Sequence, residues 1–512
     1  MVGKTANHGS GLGIKKRGGF RRALLGGLVG TLLLGVGAVP AGALLPPPPP
    51  PPPPLKIIVQ QLNPNDPGPA ALVGMLGGTI TQQLPIITGF AATIPSTGLS
   101  QLANLPGVRA VTGDQPVVPA SIADTVTPGP SVHRETIGST AANAQGYTGA
   151  GSTVAVLDTG IADVAPLSDN IRSIGGARCL NLSNESGCAD SFGHGTFVAG
   201  MVNSVAPDAD LLALKLSGRD GQSRVSTVLT ALQWVIANKN LQGIDVVNLS
   251  LRSDSNLSYR LDPLNLAVEQ VWANGITVVV AAGNQGNAAR TIAKPGDDPW
   301  VITVGASDDH GTATTADDSV VDFSSRGPTL VDGLTKPDVV APGKSVQSVR
   351  SPGSDADLRY PNFVDGTYRL GSGTSFAAPE VAGAAAILHQ ADPSATNDRI
   401  KFALTSTAHA LGAANDAGSG TIDVGAALTA PAGLANQGNF HPLLFPHAFP
   451  NLLDILGTQY YDATSWQGTS WQGTSWQGTS WQGTSWQGTS WQGTSWQGTS
   501  WQGTSWQGTS WQ

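Results

Sequence analysis

Short apolar runs alternate with segments of helical periodicity from about residue 149 onward, and this alternation constrains the fold more than any other feature of the chain. The runs are mostly apolar on both faces, as the strands of a parallel sheet covered by helices are. We therefore predict an α/β fold with a doubly wound, mostly parallel sheet. The candidate strands are 154–157, 211–215, 244–247, 276–280 and 301–304, and helical spacing spans 225–236 and 264–272.

Polar residues follow two of these candidate strands, where ligands and catalytic groups gather in such sheets. Asp158 directly follows the first strand, and Asn284 follows the fourth within Ala-Ala-Gly-Asn-Gln. His194 lies at a glycine-flanked entry to a segment of small residues. Taken singly, Asp158 is also explained as a turn residue and His194 as a helix-start residue.

Ser375 lies in the stretch Gly-Ser-Gly-Thr-Ser-Phe-Ala-Ala-Pro-Glu at 371–380. Serine and threonine before an apolar run commonly begin a helix, so this stretch alone does not identify a nucleophile. A reactive serine also needs a base, a carboxylate that orients the base, and donors for the oxyanion. His194, Asp158 and Asn284 can supply these three functions.

The segments around the four residues closely resemble the signature motifs of the subtilisin-like serine proteases, in that family's order of Asp, His and Ser. The resemblance covers about 149–434. It implies that His194 accepts the proton of Ser375 while Asp158 orients the imidazole. It also implies that the Asn284 amide and the Ser375 backbone N–H bind the oxyanion.

By the same resemblance, an extended substrate pairs with two edge segments through main-chain hydrogen bonds. These segments are Ser250-Leu251-Arg252 and, approximately, Gly221-Gln222-Ser223. Arg252 departs from the family, which usually has glycine there, and it could either favour acidic substrate side chains or point into solvent. Phe197 and Glu380 replace a histidine that many relatives carry, and we expect neither to have a catalytic role.

The module 55–118 resembles the inhibitory propeptide of the family, although this resemblance is weaker. It opens with the strand-like Leu-Lys-Ile-Ile-Val and closes near Pro-Gly-Val-Arg-Ala-Val. Residues 119–148 form the predicted processing region and mature N-terminal segment, ahead of a catalytic domain at 149–434. We expect self-cleavage between Asp114 and about His133, and the sequence does not fix the bond.

The N-terminus has the pattern of a secretory signal peptide at 1–43, with basic residues, an uncharged stretch and Ala-Gly-Ala. A retained membrane anchor is the alternative, although the apolar run is short and rich in glycine for a bilayer span. The arginine pair at 21–22 leaves general and twin-arginine export open. The proline run within 44–54 is a stiff linker.

Cys179 and Cys188 are the only cysteines of the chain. In an exported protein such a pair forms a disulfide, because the thiols meet an oxidising environment. Two free thiols are the alternative.

A second linker is predicted at 435–463, followed by repeats of Thr-Ser-Trp-Gln-Gly at 464–512. A period of five matches neither a strand nor an α-helix, so the tryptophans share no face of either. We expect a flexible string of aromatic groups that contacts cell wall, carbohydrate or other copies of the protein. A pentapeptide β-helix is the alternative.

The charge balance, 27 basic against 35 acidic residues, does not indicate a nucleic-acid partner. We predict a secreted, monomeric serine endopeptidase that is made as a self-processed precursor. We expect it to be extracellular or associated with the cell surface and to act on proteins or peptides. The chemistry needs no cofactor or metal, and the sequence leaves structural calcium open. The alternative is a surface-associated binding protein that uses the tryptophan-rich tail and keeps a vestigial protease scaffold.

Overall fold

The computed structural model describes residues 53–120, 129–362 and 364–436, together with the backbone of two short strands in the repeat tail. The predicted signal peptide, nearly all of both linkers and most of the tail lie outside these residues. Within the described part of the chain, no helix has both the length and the apolar character needed to cross a membrane.

The described residues begin with a small α+β module. Its elements are β1 (Leu55–Gln61), α1 (Gly68–Met75), β2 (Thr79–Leu84), β3 (Gly89–Ile94), α2 (Leu99–Ala103), β4 (Val108–Gly113) and β5 (Pro116–Pro119), with 3₁₀ turns at Pro85–Ile87 and Ser96–Gly98. An antiparallel sheet runs in the order β2-β3-β1-β4. The predicted boundary at 118 falls inside β5, so Pro119 continues the module's last strand.

Side chains alternate across β1, and both faces of the module's sheet are buried. Ile57 and Val59 join a separate small core with residues of α1 and α2, such as Val73 and Leu102. Ile58, between them, joins the core of the following domain. The turn at Pro85–Ile87 packs on helices of that domain, and Ile86 N donates to Gln233 Oε1 at 3.2 Å. The module is therefore seated on the domain through its second sheet face.

The domain that follows is built from alternating strands and helices. Its elements are α3 (His133–Thr136), α4 (Ser139–Asn143), β6 (Thr153–Asp158), β7 (Leu180–Asn181), α5 (His194–Val205), β8 (Asp210–Lys215), β9 (Ser223–Arg224), α6 (Val225–Gln242), β10 (Ile244–Leu249), β11 (Leu251–Ser253), α7 (Pro263–Ala273), β12 (Thr277–Ala281), β13 (Ile302–Asp308), β14 (Ser319–Val320), β15 (Val339–Pro342), β16 (Val346–Val349), α8 (Asp355–Arg359), β17 (Tyr368–Gly371), α9 (Thr374–Ala391), α10 (Asn397–Ser406), α11 (Ala414–Ala417) and α12 (Val424–Leu428); the tail strands are β18 (Gly498–Thr499) and β19 (Thr504–Ser505).

The central sheet confirms the prediction of a mostly parallel α/β fold. Its strand order is β14-β13-β12-β10-β6-β8-β7, and β15 also pairs with β13. Within the described residues, β13 and β14 form the antiparallel pair, and the other pairings are parallel. Strands β6, β12 and β13 are buried along their whole length, because helices cover both faces.

The sequence identified the inner strands but cut β13 short. The predicted strand 301–304 continues to Asp308, where Gly305, Ala306 and Ser307 pair with β15. Glycine and serine have low strand propensity, so this half of β13 carries no apolar signal. It is buried because a parallel partner covers it.

The strand order brings the predicted polar residues to one edge of the sheet. Strand β6 lies beside β10, and β10 beside β12, so their carboxyl ends are adjacent. Helix α9 packs across β10, β12, β13 and β15. Its first residues therefore lie at the same edge as Asp158, which ends β6, and Asn284, which follows β12.

Candidate active site

Asp158 and His194 form a buried pair at the carboxyl end of β6. Asp158 is the last residue of β6, and His194 is the first residue of α5, preceded by Gly193 in a left-handed conformation (φ +97°). His194 Nδ1 lies 2.7 Å from Asp158 Oδ1, and the side chains are 2% and 3% exposed. His194 Nε2 is buried with no hydrogen-bond partner among the described residues, so this nitrogen is free to accept a proton.

Ser375 is the second residue of α9 and is fully buried. Its hydroxyl donates to the carbonyl oxygen of Ser250 at 3.0 Å. The ring of the next residue, Phe376, lies with its centroid 5.4 Å from that of His194, so the start of α9 rests against the imidazole. The serine, the imidazole and the carboxylate therefore lie at the same end of the sheet.

Two donors converge on the carbonyl oxygen of Ala120. Asn284 Nδ2 donates to it at 2.6 Å, and Ser375 N donates to it at 3.1 Å. The Asn284 amide is fixed because its Oδ1 accepts from Thr374 N at 3.0 Å and from Thr374 Oγ1 at 2.9 Å. A pair of fixed N–H donors around one carbonyl oxygen is the arrangement that stabilises an oxyanion.

The segment that delivers Ala120 is β5, which lies between two edge strands of the domain. On one side Leu251, Arg252 and Ser253 pair antiparallel with Pro119, Val118 and Val117. On the other side Ser223 and Arg224 pair with Val117 and Pro116. The Ser250 carbonyl also accepts from Ala120 N at 3.2 Å. The chain's own residues 116–120 thus occupy an extended cleft between β9 and β11.

The second predicted edge segment, 221–223, is only partly paired with β5. In the register of the described strands, Ser223 and Arg224 pair with β5, whereas Gly221 and Gln222 precede β9 and have no register partner in β5. Gly221 has a φ of +70°, and a Cβ there would lie 2.6 Å from the Phe192 ring. The paired edge is therefore 223–224, because Gly221 still closes a turn in which its N–H donates to Gly218 O at 3.0 Å.

Arg252 is held on the cleft edge by a neighbouring carboxylate. Its guanidinium pairs with Asp254, and the Arg252 side chain is 28% exposed. In the register of β11 it lies opposite Val118. The cation is therefore partly neutralised before any substrate side chain reaches it.

The two departures from histidine lie beside the site. Phe197 packs on Phe376, with ring centroids 4.1 Å apart. Glu380, farther along α9, is fully buried, and its Oε2 lies 3.2 Å from His133 Nδ1. Burial raises the pKa of Glu380 to about 7, although nearby His133 lowers it.

Cys179 and Cys188 are bonded as a disulfide, with Cα atoms 5.6 Å apart. The bridge closes the loop that ends just before His194 in sequence. Among the described residues, no cluster of three or more His, Cys, Asp or Glu side chains is arranged to hold a metal ion.

Sequence reasoning missed Ala120, Thr374 and the dual role of the Ser250 carbonyl. Ala120 and Ser250 act through main-chain oxygens, which every residue type possesses. Alanine is also common at buried positions of every kind, so its identity at 120 does not indicate a role. The one available signal was the run Pro-Val-Val-Pro-Ala at 116–120, which is extended by proline geometry and ends the module.

Comparisons with known proteins identify the family to which the chain is similar. The model of the Subtilase family matches residues 149–426. Serine protease AprX of Bacillus subtilis is 42% identical over 277 residues, covering 51% of this chain and 61% of AprX. Subtilisin BL of Lederbergia lenta is 39% identical over 296 residues, covering 56% of this chain and 94% of the relative.

A solved structure also matches. It is the crystal structure of fervidolysin from Fervidobacterium pennivorans, described as a keratinolytic enzyme related to subtilisin. It aligns with a TM-score of 0.57 at 24% identity, covering 74% of this chain and 61% of that one. At this identity the match concerns the fold alone.

Proposed function

Because the chain belongs to the subtilase family of serine endopeptidases, we propose that it hydrolyses peptide bonds with Ser375, His194 and Asp158 and that it removes its own N-terminal module. One observation carries the proposal. The Ala120 carbonyl oxygen accepts hydrogen bonds from both Asn284 Nδ2 and Ser375 N, as a scissile carbonyl would. The bond that this geometry presents for cleavage is Ala120–Ser121.

In the proposed reaction, the Ser375 hydroxyl turns from the Ser250 carbonyl toward His194 Nε2, which accepts its proton. The serine oxygen attacks the carbonyl carbon, and the electron pair of the C=O bond moves to oxygen. Asp158, bonded to Nδ1, stabilises the imidazolium. The imidazolium then protonates the leaving amine, which leaves an acyl-enzyme that water hydrolyses with the same base.

The donors on the carbonyl oxygen supply the electrostatic part of catalysis. Thr374 holds the Asn284 amide, so no reorganisation is needed when the oxyanion forms. The start of α9 adds the positive end of a helix dipole. This chemistry uses only groups of the chain itself.

The module has the contacts expected of an inhibitory propeptide. Beyond β5, its Asp114 carboxylate accepts from Ser226 N and from Ser226 Oγ, both at 2.9 Å, at the start of α6. Arg224 Nη1 donates to the Asp114 carbonyl at 2.7 Å, and Gln60 Nε2 donates to Leu261 O at 2.8 Å. These bonds would keep the module in the cleft after the Ala120–Ser121 bond is cut.

The cleft also supports a substrate class. The edge strands bind main-chain atoms, so most substrate side chains contribute little to recognition. Val117 and Ala120 are nearly fully buried, whereas Pro116 is exposed. We therefore propose a preference for a small residue before the scissile bond and a branched aliphatic residue three positions earlier, with weaker selection at the two half-buried positions between them.

The remaining proposals concern parts of the chain outside the described residues. We propose export through the N-terminal signal peptide, and attachment of the repeat tail to cell wall, carbohydrate or other copies. Truncation after Asp462 would then leave turnover on a soluble peptide within about twofold and reduce retention on such surfaces steeply.

The proposed function is tested on the purified precursor with a fluorophosphonate probe and N-terminal sequencing. We expect the probe to label one serine, Ser375, and the mature product to begin at Ser121. The Ser375→Ala precursor should bind no probe and retain its module. Probe labelling at another residue, or processing of Ser375→Ala at the wild-type rate, would contradict the proposal.

A further inference from the structure

Asp190 is a buried carboxylate that the proposed reaction does not use. It lies two residues after Cys188 and four before His194, and it is 3% exposed. Its Oδ1 accepts from Gly193 N at 2.7 Å and from Thr159 Oγ1 at 2.8 Å. Its Oδ2 accepts from Thr196 N at 2.8 Å and from Thr196 Oγ1 at 2.6 Å. Four donors therefore converge on one carboxylate.

These donors flank both members of the buried pair. Gly193 and Thr196 bracket His194 at the start of α5. Thr159 follows Asp158, and its N–H donates to Asp158 Oδ1 at 2.8 Å. The Thr159 hydroxyl also accepts from Gly195 N at 2.9 Å. Asp190 thus connects the end of β6 to the start of α5, which are the two elements that set the distance between Asp158 and His194.

The loop that carries Asp190 is held in place by a buried lysine. The Lys215 ammonium, which is fully buried, donates to Ala189 O at 2.8 Å and to Thr159 O at 3.1 Å, and it lies 3.3 Å from Glu185 Oε2. Glu185 belongs to the loop closed by the Cys179–Cys188 disulfide. The disulfide and this lysine therefore fix the main chain that leads directly into Asp190.

We propose that Asp190 is a positioning residue for the hydrolysis and that the Cys179–Cys188 bridge acts through it to hold His194 against Asp158. This inference rests on the proposed function. The negative charge is needed because all four acceptor positions face donors. An asparagine would direct an NH₂ group at two of those donors, and one side of the network would separate.

The inference predicts a loss in the chemical step and not in substrate binding. Substrate pairs with β9 and β11, and Asp190 contacts neither strand in the described hydrogen-bond network. A displacement of about 1 Å at a catalytic group costs roughly 100-fold in rate. Asp190→Asn should therefore lower kcat by about that factor and leave KM within about twofold.

The test compares variants in the full-length precursor and the enzyme matured from it. Measured quantities are the self-cleavage rate at Ala120–Ser121, kcat and KM on acetyl-Pro-Val-Val-Pro-Ala p-nitroanilide, and inhibition by the free acid of that peptide. Asp423→Asn is the matched control, because the Asp423 carboxylate accepts from Ala426 N at the start of α12 and takes no part in the network around Asp190. We expect the control to match the wild type in every measurement.

Three further variants keep the inference testable if Asp190→Asn misfolds. Thr159→Val removes the hydroxyl that joins Asp190 to Gly195 and should lower kcat about tenfold, whereas Thr159→Ser should restore it. Replacing both Cys179 and Cys188 by serine should lower kcat about tenfold at unchanged KM and inhibition.

Three outcomes would overturn the positioning role. These are a kcat for Asp190→Asn within threefold of the wild type, equal activity of Thr159→Val and Thr159→Ser, or a loss that appears in KM and peptide inhibition instead of kcat. An inactive wild-type enzyme would overturn the proposed function, and this role with it.

Discussion

The N-terminal module and the domain behind it are stabilised in different ways. The domain encloses one continuous core that contains the central sheet and the inward-facing sides of the helices on both of its faces. The module has a small core of its own, built around Ile57, Val59 and Phe90, while the other face of its sheet is buried only against the domain. A small core provides little stability, since the surface fraction that a chain can bury falls with its size. The fold of the module therefore depends on its contact with the domain more than the domain depends on the module.

The contact between the two regions is also divided in character. Apolar side chains such as Ile58 and Ile87 lie in this contact, and Asp114, Gln60 and β5 add hydrogen bonds to the domain. The polar groups are themselves buried, with Gln60 fully inaccessible to solvent. Each of these buried side chains is paired across the contact, as the interior of a folded protein requires.

The largest effect should come from a change that spares both regions and removes only catalysis. Asn284→Ala deletes one of the two donors on the Ala120 carbonyl and should lower self-cleavage and peptide turnover by roughly 10²–10³-fold, a magnitude that comes from subtilisin itself. The measurement is the single-turnover rate of module removal. The unfolding temperature is the control, and an equal loss in stability would show that the domain had been damaged instead.

A core substitution should separate the two regions by their stability. Phe90→Ala should lower the free energy of unfolding of the module by about 3–5 kcal/mol, and Leu232→Ala in α6 should lower that of the domain by about 2–5 kcal/mol. We expect the first to unfold the module and the second to leave the domain folded, since the module has the smaller reserve. Hydrogen exchange in the Ser375→Ala precursor would report each region. Equal protection of the module in both variants would mean that the domain alone maintains the module's structure.

Asp114→Ala should weaken the binding of the cleaved module to the domain by about tenfold. The reason is that Asp114 accepts hydrogen bonds at the start of α6, and the loss of such a capping contact costs about 1.4 kcal/mol. The readout is the delay between cleavage of Ala120–Ser121 and appearance of activity, which should shorten. Asp114→Asn retains one acceptor for Ser226 and should lie between the two. An unchanged delay would show that β5 alone retains the module.

A pH effect should come from Glu269 on α7. Burial raises the pKa of Glu269 to about 10, with Asp298 adding to the rise and Arg109 of the module opposing it. A carboxyl whose pKa is raised on folding contributes stability that is complete below its ordinary value of about 4.5 and is lost as the pH rises toward 10. The Ser375→Ala precursor should therefore melt at falling temperature over this range, and Glu269→Gln should flatten the dependence. Parallel melting curves for the two proteins would contradict this role.

The smallest effect should follow Arg252→Gly. The ion pair with Asp254 is largely exposed, and such pairs contribute about 0–1 kcal/mol. Turnover on a small ester should change by less than about twofold, while the preference for the substrate residue opposite Arg252 should shift. Comparing the ester with a peptide library separates these results, and equal losses on both would point to a disturbed fold.

Much of the domain could be predicted because its signals are local. Asp158 ends a buried strand, which the sequence shows as an apolar run. His194 begins a helix, which the sequence shows as a histidine between two glycines. The parallel sheet follows from strands that are apolar on both faces. The second half of β13 and the exact start of β9 could not be predicted, because the glycine, serine and turn residues there carry no periodic apolar signal.

The sequence alone therefore determined the α/β class, the family and the identity of four polar residues, since each rests on residue types within short segments. Only the tertiary structure decided that two of them, Asn284 and Ser375, donate hydrogen bonds to the carbonyl oxygen of Ala120. Ala120, Thr374, Ser250 and Asp190 act through main-chain atoms or through hydrogen bonds between segments distant in the sequence. Such contacts depend on the relative placement of strands and helices, and that placement is set by the packing of the whole core and not by any local pattern.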